Sequence, residues 1–108
     1  RILLAAQNDI ERLRSQLESA RASLQQMQTA VLPAAETVAQ SAEFAYTKGA
    51  TGVLDLLDAR RALRQTRLDA VDVQGNFAKA MAAYRAALQA TTSDINKLPQ
   101  VRTDASHP

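Results

Sequence analysis

Two heptad repeats separated by one glycine-bearing turn leave this chain little choice but two long helices lying side by side. From Leu3 onward, apolar or small residues recur with spacing three and four. Leu3, Ile10, Leu17, Leu24, Val31, Val38 and Ala45 take the a positions, and Ala6, Leu13, Ala20, Met27, Ala34 and Ser41 the d positions. A repeat sustained over this many heptads specifies a coiled-coil seam and not the shorter stripe of a globular helix. At about 1.5 Å per residue, a helix over residues 2–48 is roughly 70 Å long, and such a rod needs a partner along its whole length. The second repeat supplies it. Leu56, Leu63, Ala70, Phe77 and Tyr84 occupy a, with Ala59, Thr66, Val73, Ala80 and Ala87 at d. Folded about the intervening turn, the two repeats are commensurate, with Ala45 near Leu56 and Val31 near Ala70.

The predicted fold class is therefore all-α, a single long antiparallel hairpin. Helix 1 covers about 2–48, the turn 49–52, helix 2 about 53–92, and a polar tail 93–108. Pro33 removes a backbone donor, and its ring meets the carbonyl of Thr29, so a kink is expected there. The heptad phase runs on from Val31 to Val38, so the seam is expected to continue unchanged through it. At the turn, Gly49 can take the left-handed conformation just past a helix end, with Lys48 in the last turn to suit the helix dipole. Thr51 or Gly52 can cap the next helix, and Asp55 lies in its first turn. Helix 2 also carries a second apolar row, including Leu54, Leu57, Leu68, Val71, Ala78 and Ala82, so a neighbour is expected on its other side. Gly75 in that row suggests close backbone approach. Composition agrees: hydrophobic residues reach 46% but aromatic ones only 4%, as alanine-rich packed rods require and a compact globule does not.

Several function classes drop out. The formal net charge of +2 is too small to imply a nucleic-acid partner. Arg60, Arg61, Arg64 and Arg67 lack interleaved aromatics and read as a solvated or intersubunit face. With no cysteine there is no thiol chemistry, disulfide or cysteine-based zinc site. His107 is the only histidine and stands alone in the tail, so neither acid–base catalysis nor a metal site is expected. The Gly49-Ala50-Thr51-Gly52 turn lacks the Lys-Ser/Thr pair of a phosphate-binding loop. The longest apolar run, Ala30 to Ala35, falls far short of the roughly 20 residues of a membrane helix. No enzyme and no cofactor is expected. Opening on Arg1 with its repeat already under way, the chain reads as a segment of a longer protein.

One stretch is more specific than periodicity. From Leu32 the chain reads LPAAETVAQSAEFAYTKGATGVLDLLDARRALRQTRLDAVDVQGNFAKAMAAYRAAL. It resembles the second repeat of the TolC-like outer-membrane efflux protein family, whose pattern is roughly LPxAExxxxxAxxxYxxGxxxxLDVLDAxxxL. Leu32, Pro33, Glu36, Tyr46, Gly49, Leu54, Asp55, Leu57, Asp58, Ala59 and Leu63 fall in register, and the resemblance spans residues 10–90.

The resemblance implies a trimer in the cell outer membrane. Each protomer would contribute strands to a β-barrel, missing from this segment, and long helices to a periplasmic tube. The tube would meet a periplasmic adaptor protein joined to an inner-membrane pump, for export of small molecules or ions. Lys48, Gly49, Ala50 and Thr51 would then form the adaptor-contacting tip. Asp55 and Asp58 would line the entrance constriction, and Tyr46 would help hold it closed. Thr51 departs from the pattern, because a family member places an arginine there in its closing network. As an isolated piece the hairpin is expected to self-associate. Two other readings share the shape: the α-hairpin of a periplasmic adaptor, and an unrelated dimerising coiled coil. The adaptor signature needs Asp three residues after an Arg-Leu pair. Here Arg12-Leu13 is followed by Gln16, and Arg67-Leu68 by Val71.

Overall fold

The computed structural model describes residues 2–97. It consists of α1 (Ile2–Gln26), a π-helical segment (Met27–Val31), α2 (Leu32–Thr47) and α3 (Val53–Asn96). Helical structure is continuous from Ile2 to Thr47, turns at 48–52, and returns along α3, which packs against both α1 and α2. The fold is an all-α antiparallel hairpin, without strands among the described residues. At 44 residues, α3 is roughly 66 Å long. It ends at Asn96, four residues beyond the expected boundary at 92, so the start of the expected tail is its last helical turn. The tail beyond Lys97, His107 included, lies outside the described residues, as does the side chain of Leu3.

Two rods offer little interior. Leu17, Ala39 and Leu56 are the buried hydrophobic residues, at 5%, 7% and 5% exposure. The rest of the interface is half-buried, a ladder of contacts with solvent on either side. Every a and d residue named for helix 2, from Leu56 to Ala87, lies on this inward stripe. So do Ala6, Ile10, Leu13, Leu17, Ala20 and Leu24 of α1 and Met27 at the start of the π-helical segment.

Between Met27 and Ala45 the expected seam fails. Val31, Ala34, Val38 and Ser41 are exposed, Val38 at 58%, and Leu32, Ala35, Ala39 and Ala42 face α3 instead. The cause is the π segment. Leu32 N–H reaches back five residues to Met27 O, where an α-helix would reach back four. One residue is thus added to a turn, which moves the side chains that follow about 100° around the axis and hands the inward role to the next residue. By the end of α2 the expected position faces inward again, with Ala45 half-buried and Tyr46 exposed. Pro33 sits in the first turn of α2, directly after the widened turn. There its missing donor costs little, and the shift moves the Thr29 carbonyl away from its ring. The Thr29 hydroxyl donates to Gln25 O at 2.7 Å, a back-bond that also loosens this turn. Pro33 therefore does not leave the seam running in phase through a kink. It marks a change of face.

Candidate functional site: the hairpin tip

The end of α2 is closed by its own backbone. Lys48 is the C-cap, and Gly49 follows with φ 77° in the left-handed region. Gly49 N–H donates to Tyr46 O at 3.0 Å and Ala50 N–H to Ala45 O at 2.8 Å. This pair of bonds is the Schellman closure, which satisfies carbonyls that a helix end leaves bare. It requires positive φ at Gly49, a conformation that L side chains disfavour. No atom lies within 4 Å of where a Cβ on Gly49 would stand, so backbone strain and not crowding selects glycine.

The start of α3 is simpler. Gly52 is the N-cap, in extended conformation and with no side chain bonded to the bare amides. Thr51 does not act as the cap. Its hydroxyl oxygen is covered and has no hydrogen-bond partner among the described residues. Asp55 lies in the first turn, where the helix dipole favours a carboxylate.

Asp55 and Asp58 are both exposed and stand one turn apart. Asp58 is 3.6 Å from Arg61, with both side chains about 70% exposed (72% and 70%), so the pair contributes little to stability. Arg60 reaches across the hairpin instead and donates to Glu43 Oε1 at 3.1 Å. Tyr46 is 45% exposed on the outside of α2. The structure thus gathers Tyr46, Lys48–Thr51, Asp55 and Asp58 at one end of the rods, but no hydrogen bond joins Tyr46 to either aspartate within one chain.

Around the turn stand exposed apolar side chains that the sequence reading did not place there: Phe44 at 65% and Val53 at 48%, beside Leu54 at 72%. Lys48 Nζ lies 5.4 Å from the Phe44 ring centre, a cation–π contact worth about 0.5–1 kcal/mol at an exposed site. The signal was available: Phe44 precedes the a residue Ala45 and so falls off the seam. A polar turn ringed by bare hydrophobic side chains suits contact with another helical end, where apolar area gives affinity and the turn's charges give orientation. Among the described residues no group of three or more His, Asp or Glu is placed to hold a metal ion. No described helix is long and apolar enough to cross a membrane.

Comparison with protein-family models, with curated proteins and with solved structures finds no match.

Proposed function

We propose that this hairpin is a structural segment of an outer-membrane efflux duct, forming part of its periplasmic tunnel. In this reading the chain is a wall element and not a catalyst, and works as one of three copies in a trimer. Its turn, Lys48 to Thr51, meets a periplasmic adaptor joined to an inner-membrane pump. Asp55 and Asp58 face the narrow entrance, and Tyr46 braces it.

The observation that carries the reading is the tip. A glycine-dependent closure at the end of two long rods holds a polar turn clear of both helices. Exposed Phe44, Val53 and Leu54 surround it. The YxxG and LDxLDA residues that carry the family resemblance, Tyr46, Gly49, Leu54, Asp55, Leu57, Asp58 and Ala59, all sit at this end. An unrelated dimerising coiled coil has no need of them.

The test is site-specific cross-linking in cells. A photoreactive residue at Ala50, carried in the full-length parent, should capture the adaptor, and the same residue at Gln16 far along α1 should not. Equal capture at both positions, or none at Ala50 in cells that still perform efflux, would reject the tip as the contact.

A further inference from the structure

Charge on the tip half of α3 is sorted by heptad position. With Leu56 at a, Asp55 and Asp69 fall at g and Asp58 and Asp72 at c, whereas Arg60 and Arg67 fall at e and Arg64 at b. Positions c and g lie on one flank of an a/d seam, b and e on the other. Acids and bases therefore occupy opposite flanks of one helix.

Contacts fix each flank on the hairpin. Arg60, Arg64 and Arg67 share a groove of about 300 Å³ with Glu43 and Ala39, so the basic flank opens on the side of α2 that Glu43 faces. Glu43 follows the inward Ala42 by one residue. The row vacated at the π segment precedes the inward row by one residue, so Val31 and Val38 lie on the opposite side, with the aspartates. Val31 and Ser23 accordingly line one hollow, and Ser23 lines another with Asn76, which is itself a g residue. Each flank also carries bare aliphatic area: Val31 and Val38 at 40% and 58% on the acidic side, Leu57 and Val71 at 38% and 62% on the basic side.

The chain satisfies only part of this charge itself. Arg60 pairs with Glu43 and Asp58 with Arg61, while Arg64, Arg67, Asp55 and Asp72 enter no ion pair among the described residues.

We infer that the basic flank of one hairpin receives the acidic flank of a second copy of this chain, the two lying parallel and in register. In that alignment Arg60 and Arg67 stand about 3 Å along the axis from the second copy's Asp58 and Asp69, at ~1.5 Å per residue. Val31 of the second copy comes level with Val71 of the first, since Val31 already shares a hollow with Val73 across its own hairpin. The aliphatic pairs give affinity and the charges give direction and register. The contact is heterologous, so each copy keeps a free flank of either kind and assembly proceeds head to tail. This pairing concerns two copies of this chain by themselves and goes beyond the duct reading. Its test uses the chain alone, with no adaptor or pump, so the two can fail separately.

The experiment is a charge swap followed by sedimentation equilibrium. The wild-type chain should associate, less at high salt than at low. Arg64→Glu/Arg67→Glu and Asp69→Lys/Asp72→Lys each turn two attractions into two repulsions. Each variant alone should associate roughly thirtyfold more weakly at low salt, with helicity unchanged because all four positions are exposed. Mixing the two variants should restore association, because each then offers the charge the other lacks. As a second readout, Val31→Cys mixed with Val71→Cys should give a disulfide-linked pair in this cysteine-free chain. A wild-type monomer at high micromolar concentration, self-association of either swapped variant at wild-type strength, or a mixture that stays monomeric would overturn the inference.

Discussion

Deleting Gln28 removes the residue that the π segment adds, and tests whether Pro33 is the reason for it. The two faces of α2 are nearly equal in apolar content. Setting Ser41 aside, Val31, Ala34 and Val38 carry as many aliphatic carbons as Leu32, Ala35, Ala39 and Ala42. Burial alone does not choose between them. What differs is Pro33, whose ring in an unbroken α-helix costs about 3 kcal/mol against the Thr29 carbonyl. After the deletion, Leu32 lies four residues beyond Met27 in an ordinary helix and still faces α3, but Pro33 is forced into that clash. The single deletion should therefore lose about 3 kcal/mol, roughly 12–24 °C in Tm for a chain of this size. Pro33→Ala alone should change little, because the π turn no longer has a clash to relieve. The deletion combined with Pro33→Ala should match or exceed the wild type. The cycle is read by thermal and urea unfolding followed by circular dichroism at one fixed protein concentration, since association shifts apparent stability. Additive effects, with a coupling under about 0.5 kcal/mol, would refute the link between Pro33 and the changed face.

Other substitutions separate the remaining features. Gly49→Val should cost about 1–2 kcal/mol through positive φ alone, leaving both rods helical by circular dichroism. In the duct reading it should also abolish adaptor cross-linking while the trimer persists. Gly75→Ala should stabilise the isolated hairpin by about 1 kcal/mol, because a Cβ there meets nothing within 4 Å. A loss of stability in chemical denaturation would show a neighbour pressing on that position. Leu56→Ala, at one of the few buried sites, should cost about 2–3 kcal/mol in the same assay, against under about 0.5 for Leu54→Ala. In the duct reading, Asp55→Ala/Asp58→Ala in the longer protein should weaken cation preference in single-channel recordings. Unchanged selectivity would remove these carboxylates from the entrance.

The hairpin was legible because both signals it needs are local. A heptad repeat declares a seam wherever it occurs, and the whole named stripe of α3 from Leu56 to Ala87 lies inward as read. Gly49 declared the turn, since few other residues enter the left-handed region at low cost. The change of face in α2 was not legible in the letters a and d. A one-residue insertion there exchanges one apolar row for an adjacent one of equal greasiness, so the repeat looks unbroken when its direction has changed. Pro33 carried the only hint, and by itself it does not say which row faces inward after it. Close backbone approach at Gly75 is likewise absent within the hairpin, where open space surrounds it. At the tip, the turn residues were legible, but the bare collar of Phe44 and Val53 needed the heptad letters to be read for what they exclude.

The ladder-like interior also dictates an order of folding. Contacts near the turn, such as Arg60 with Glu43, join residues close in sequence, whereas the open end must bring Ala6 and Ile10 to Ala87 and Asp94. Loop-closure entropy rises with each rung away from Gly49, so the chain zips from the tip and frays from the other end. Amide hydrogen exchange should be slowest around Ala39 and Leu56 and quicken steadily toward Ile2 and Asn96. Substitutions at the turn should slow folding, while those near the open end should chiefly hasten unfolding. In the duct reading, the end that meets the adaptor is then also the first part of the molecule to form.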